Sequence, residues 1–303
     1  MQLFQRYKAS FLFTRIEKSH LVATKFVDTL LDSGLNKAVS AFHYGVRFNR
    51  LYFAHVVIAL LDDDDREEFW AIYDAADAKA FVRILQRLEG RIHSLVNDNR
   101  THQLLLDAVG WAISNPTLLL EGTRSPLDSP NIVALALLIH ELHRANEDGT
   151  LSIRTFIHDE QQQFGKHLKM AFDVSKRFGH VDATSPLAEM VNVKEMATFD
   201  CEFRVSSSKA SFGLQVLDVA LWLTKRFTDN PDSVRGRCRD LAELILRCGF
   251  ISHFTQDSMW QEVVRGYEEL QSAPRLTREQ ERKGRELLQE LEEHRLKRMR
   301  IAS

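Results

Sequence analysis

The sequence predicts a helix-dominated α/β protein, and three observations predict it. Three short stretches favour strands: 10–17, 151–157 and 198–205. Between the first and second lies a block, 37–146, whose apolar residues recur at helical spacing almost throughout. Helical patterns also follow each strand, which is the order of a small α/β core carrying an all-α insertion.

The first strand, 10–17, carries apolar residues on both faces, as a strand covered on two sides would. Ser19 then serves as N-cap for a helix from 20 to about 31, and Asp32-Ser33-Gly34 stops it. Helical segments follow over 46–61, 67–95, 101–114 and 131–145, with a proline-bearing loop at 118–129. The four aspartates Asp62 to Asp65 read as a solvated loop and helix N-terminus, where acids complement the dipole. Asp159 opens a helix over 159–178, with Gln162 completing a capping box. After the third strand, 212–227 is apolar nearly all round, so we expect a buried helix. Ser211 is its cap. Helices at 233–249 and 257–270 follow. From Leu276 the chain is charged, Thr277 and Gln280 have capping-box spacing, and we expect a solvated or partner-dependent helix. The domain reading is therefore 1–36 as first strand and helix, 37–150 as helical insertion, 151–272 as the rest of the core and 273–303 as a charged helical tail.

Composition excludes several classes. With 44% hydrophobic and 27% charged residues in 303, the chain is long and apolar enough for a core and is not a disordered one. A net charge of −2 gives no bulk attraction to nucleic acid, which leaves only a local basic groove. Three cysteines without CxxC spacing predict free thiols in a reducing cytosol. The sequence shows neither a leader pattern nor an apolar run of spanning length, so the expected location is the cytoplasm. His140-Glu141-Leu142-His143 is one residue short of a zincin motif, and no glycine pattern for nucleotide binding occurs.

Carboxylates remain as the chemistry-bearing groups. Asp218, with Gln215 three residues before it on the same helical face, interrupts an apolar helix. An ionised acid buried there needs a partner or a cation. Asp159 stands where a strand meets a helix, with His158 and Glu160 beside it; such strand ends are where α/β sites cluster. Capping competes with catalysis for Asp159, and a loop-holding role competes for Asp218. Glu17 ends the first strand. Three carboxylates from separate elements suit a hard cation, Mg²⁺ or Mn²⁺, which activates water and steadies the leaving oxygen of a phosphodiester.

The segments R-I-E-K (15–18), S-P-N-I-V-A (129–134), F-I-H-D-E-Q-Q-Q-F (156–164) and S-S-K-A-S-F-G-L-Q-V-L-D-V-A-L-W (207–222) resemble the domain of unknown function 3800 family of bacterial and phage proteins. The resemblance runs to about residue 255, and Gln215-x-x-Asp218 after Gly213-Leu214 is its most specific part. It implies a ribonuclease H-like core and a metal-dependent nuclease-type site. The acids that match are Glu17, Asp159 and Asp218, with His158, Glu160 and Gln215 beside them. Family members usually open with a strand ending in Asp-Glu-Ser-Gly. This sequence has no such segment, so the expectation is either a start further upstream or a truncated, inactive relative.

Two functions follow. In one, the chain is a divalent-metal-dependent hydrolase in which Asp218, Asp159 and Glu17 bind metal, His158 or Glu160 orients water and Lys209 neutralises a phosphate. In the other it is a non-catalytic interaction protein, in phage defence for example, presenting the helical insertion or the tail to a partner. Nucleic acid and protein are the expected partners; a membrane is not.

Overall fold

A computed structural model describes residues 11–125, 130–147, 152–160, 165–178 and 201–302. Helices dominate it, as the patterning requires, and the strands are few and short. The chain divides into two compact units, one of residues 1–15 and 129–253, the other of residues 16–128 and 254–303.

Among the described residues the second unit is helical apart from Ile16 and Phe254, each the last residue of a strand. Its helices are α1 (Lys18–Leu31), α2 (Ala41–Gly45), α3 (Arg47–Leu60), α4 (Asp63–Ala75), α5 (Ala78–Leu95), α6 (Asn99–Ser114) and α7 (Pro116–Thr123). Phe26, Val57, Phe81, Ile84, Leu88 and Ala108 lie among the fully buried side chains at its centre. The Phe26 and Phe69 rings meet edge to face with centroids 5.0 Å apart, a favoured aromatic geometry. The expected helix over 67–95 is two helices. Ala76 takes a left-handed conformation with φ of 53° and ends α4, and the Asp77 side chain caps α5 by accepting from the Ala80 amide. The expected loop at 118–129 is in its first part α7, which Pro116 opens at a position where its missing N–H costs nothing.

The aspartate run is also corrected. Asp62 does cap α4, accepting from the Asp65 amide. Asp65, however, is buried, and its carboxylate is held by Arg87 at 2.7 Å and by Arg91. The cations lie 22 and 26 residues further on, so local patterning does not show them.

The same unit takes two helices from the end of the chain, α12 (Gln256–Ser272) and α13 (Arg278–Ala302). Thr277 and Gln280 form the expected capping box at the start of α13. Residues 278–290 are exposed, as expected of a solvated tail. The far half is covered along one side. Arg295 is 1% exposed, donating to the Ala38 carbonyl at 3.0 Å and pairing with Asp107 and Glu292, each at 2.8 Å. Arg298 donates to the Ser33 carbonyl at 2.6 Å. Two arginines thus dock a helix whose sequence looks fully solvated.

The first unit holds four strands where three were expected: β1 (Phe11–Ile16), β2 (Thr155–Asp159), β3 (Glu202–Ser206) and β4 (Gly249–Phe254). They form two separate two-stranded ladders, β1 with β4 and β2 with β3. Gly249 lies beside the Phe11 carbonyl, and the Phe254 carbonyl accepts from the Glu17 amide at 3.0 Å, so β1 and β4 run the same way. A Cβ at Gly249 would sit 2.6 Å from the Ile245 carbonyl, a close approach that a side chain cannot share. The unit's helices are α8 (Pro130–Glu147), α9 (Gly165–Phe178), α10 (Phe212–Asp229) and α11 (Gly236–Cys248). Small cores join them: Phe11, Phe13, Ala220 and Ile245 in one, Leu223, Val234 and Ala242 in another.

Candidate functional site

The strand ends of β2 and β3 build the site. They pair in parallel, with Phe156 opposite Phe203 and Asp159 opposite Ser206. One face is closed by Phe172 of α9, whose ring lies 4.8 Å from that of Phe203. Thr155, Ile157, Glu202 and Arg204 occupy the alternate positions, and all are exposed. One face of the ladder is therefore unpacked by the described residues.

At the carboxyl end the backbone is tied down bond by bond. The Glu160 amide donates to the Ser206 carbonyl at 3.0 Å, and the Ala210 amide to the Ser207 carbonyl at 2.9 Å. Asp159 does not cap a helix. It is the last residue of β2, its Oδ1 accepts from the Ser208 amide at 2.8 Å, and α9 begins only at Gly165. Gln162, its expected capping partner, lies outside the described residues, as do 198–200 of the third strand as read from sequence. From α10, the Gln215 side-chain amide donates to the Ser208 carbonyl at 2.9 Å. Ser208 is thus clamped through its N–H by Asp159 and through its C=O by Gln215. Ser211 caps α10 as expected, accepting from the Leu214 amide at 3.4 Å.

The structure therefore brings Asp159 and Gln215 to one turn. Asp218 is one helical turn beyond Gln215 and is exposed. The expectation that it is a buried acid needing compensation is overturned, because α10 is not buried all round. Phe212 is 71% exposed, Val219 and Trp222 58% each, and Leu217 and Leu221 are also open. Only one stripe, including Ala220, Leu223 and Thr224, is covered. His158 turns to its own chain, its Nδ1 lying 2.6 Å from the Asp159 carbonyl. Glu160 and Lys209 are exposed. Glu17 belongs to the other unit, where it precedes α1 and accepts from the Ser19 hydroxyl at 3.1 Å and the Gln256 amide at 3.2 Å. Ser19 is therefore a donor to the cap residue and not the cap itself.

Two features here leave little trace in the sequence. One is Ser208 as the shared partner of Asp159 and Gln215, signalled only by a serine triplet between strand and helix. The other is the pairing of Arg226 with Trp222, the guanidinium lying 5.4 Å from the ring centroid. Its spacing of four residues along a helix was the available signal.

The donors here, carboxylate and amide oxygens, are of the type hard cations prefer. Among the described residues, however, no three histidine, cysteine or acidic side chains come close enough to hold an ion together. Cys201 and Cys238 are free thiols, as expected. Among the described residues no helix is long and apolar enough to cross a membrane. Comparison of the chain with family models, curated proteins and solved structures gave no match.

Proposed function

We propose that this chain is a non-catalytic interaction protein whose first unit docks another protein on α10. The observation that carries the reading is the exposed apolar surface of that helix, with Phe212, Leu217, Val219, Leu221 and Trp222 all open to solvent. Large apolar side chains exposed together on one helix are a mark of interaction sites. The residue types are those that anchor protein interfaces: a tryptophan with an arginine stacked on it, next to a phenylalanine and aliphatic side chains. The occupant that fits is a protein surface with an apolar centre and a polar rim, because Asp218, Lys225 and Asp229 form a charged stripe between the apolar flanks. The clamp of Asp159 and Gln215 on Ser208 then sets the angle at which α10 leaves the ladder.

A photo-crosslinking residue at position 221 tests this in the producing cell. The expected result is one discrete protein adduct, lost with Trp222→Asp, and no such adduct from position 95, which is at least as open in the other unit. Equal patterns from both positions would reject docking on α10.

A second reading, a nuclease-type hydrolase, is favoured by the meeting of Asp159 and Gln215 at the carboxyl end of a parallel ladder, where α/β sites lie. The likeness of 207–222 to the domain of unknown function 3800 family supports it. Asp159 and Asp218 would hold Mg²⁺ or Mn²⁺, which would polarise a water and neutralise a phosphate. The donor chemistry fits and the number of donors is small, although Mg²⁺ often takes only one or two carboxylates. Calorimetric titration with Mg²⁺ and Mn²⁺ separates the readings: tight binding lost in Asp218→Ala supports the hydrolase, and no heat of binding removes it.

A further inference from the structure

The start of α13 is a helix with no core of its own. Every residue from 278 to 290 is exposed, and Leu287 remains 55% and Leu276 61% open. Its helical pairs, such as Arg282 with Glu286 at 2.7 Å and Lys283 with Glu279 at 2.8 Å, are solvent-exposed and weak. Arg295, two turns beyond Leu287, fixes the arm to the helical unit, so it is held out at its base and bare along its length.

The charges along the arm are segregated. In 278–285, Arg278, Arg282, Lys283 and Arg285 outnumber Glu279 and Glu281. In 286–293 there are four glutamates and no cation. Such a helix repels a parallel copy of itself and attracts an antiparallel one, because basic half then meets acidic half twice. Lys283, Leu287, Glu290 and His294 share one face at spacings of three and four residues, and all are exposed. That face is exposed from Lys283 as far as His294; beyond it Arg298, on the same side, donates to the Ser33 carbonyl.

We infer that the arm is a self-association surface, and that its occupant is the same arm of a second copy of this chain, crossing antiparallel at Leu287. The two-fold arrangement makes each contact occur twice, as a closed dimer interface requires. Leu287 meets its own equivalent. Lys283 of each copy faces Glu290 of the other across the crossing. Gly284, a residue that weakens an exposed helix relative to alanine, has open space where a Cβ would stand and leaves room for the second backbone. The inference is independent of docking on α10, which lies in the other unit.

Sedimentation velocity of the full chain across a concentration series tests it, with circular dichroism confirming that each variant keeps its helix content. The wild type should dimerise reversibly, and Leu287→Asp should be monomeric throughout. Lys283→Glu and Glu290→Lys should each weaken the dimer at least about tenfold, because each creates two like-charge contacts. Mixed together, these two variants should form a heterodimer, since every crossing pair is then of opposite sign; the double variant in one chain should recover the homodimer. A wild type that stays monomeric, or a dimer indifferent to these charges, would overturn the inference.

Discussion

Replacing Arg295 by methionine removes the charge but keeps much of the stem volume. Arg295 is 1% exposed and donates to Asp107 at 2.8 Å, to Glu292 at 2.8 and 2.9 Å, and to the Ala38 carbonyl at 3.0 Å. The variant leaves the Ala38 carbonyl without this donor and Asp107 with only the Gln103 amide at 2.8 Å, while Glu292 keeps Arg100 at 2.7 Å. Breaking a buried pair by removing one member costs about 3–5 kcal/mol. We take about 3 here, because Glu292 retains a cation and Asp107 keeps some contact with solvent. For a helical unit of this size that lowers Tm by roughly 6–12 °C. Urea unfolding followed by circular dichroism gives the free energy, and calorimetry the Tm. Adding Asp107→Leu should return part of the loss, since it removes the acid left without its cation. A loss below about 0.5 kcal/mol, or no recovery in the double variant, would refute the idea that this cation holds the end of α13 in place.

Acid should destabilise the helical unit in two stages. Burial pushes the His43 imidazole down to about 4, so its contribution is complete above the ordinary value of 6.5 and is lost as pH falls from 6.5 through 4. Hydrogen bonds from Arg295 and then Arg100 hold the Glu292 carboxyl down to about 2, so its contribution is present above the ordinary value of 4.5 and lost between there and 2. Urea midpoints at pH 7.5, 5.5 and 3.5 should fall in that order, and flat midpoints would contradict both assignments. Asp65→Asn should cost about 2–4 kcal/mol, as it removes the buried charge that both Arg87 and Arg91 bind, leaving them only the more exposed Glu68 and Asp62; thermal unfolding measures it. Asp159→Ala should speed exchange of the Ser208 amide at least about tenfold with little change in global stability, because that side chain closes one local hydrogen bond. An unchanged Ser208 exchange rate would remove the clamp.

Much of the fold is legible because helical periodicity is a local property. The bounds of α3, α6, α8 and α12 follow the sequence pattern to within a few residues. What escaped depends on distance along the chain. The dock of α13 needs Arg295 to find Ala38 and Asp107, and the burial of Asp65 needs arginines 22 and 26 residues further along the chain. β4 escaped because Phe250 to Phe254 reads as a short link between two helices until β1 is beside it. At the candidate site, Asp159 and Gln215 were both singled out from sequence and do meet, but at a backbone turn that the pattern could not specify. The reading of 212–227 shows how periodicity misleads: an all-round apolar helix is buried only if something is there to bury it, and here one stripe alone is covered.

The claim that a protein covers α10 is tested most directly by hydroxyl-radical footprinting of Trp222, done on the purified chain and inside the producing cell. The account predicts rapid oxidation of Trp222 in the purified chain and protection of at least about fivefold in the cell, with Trp260 of the helical unit, also exposed, serving as the internal reference. Equal oxidation of Trp222 in both settings, after scaling to Trp260, would contradict it.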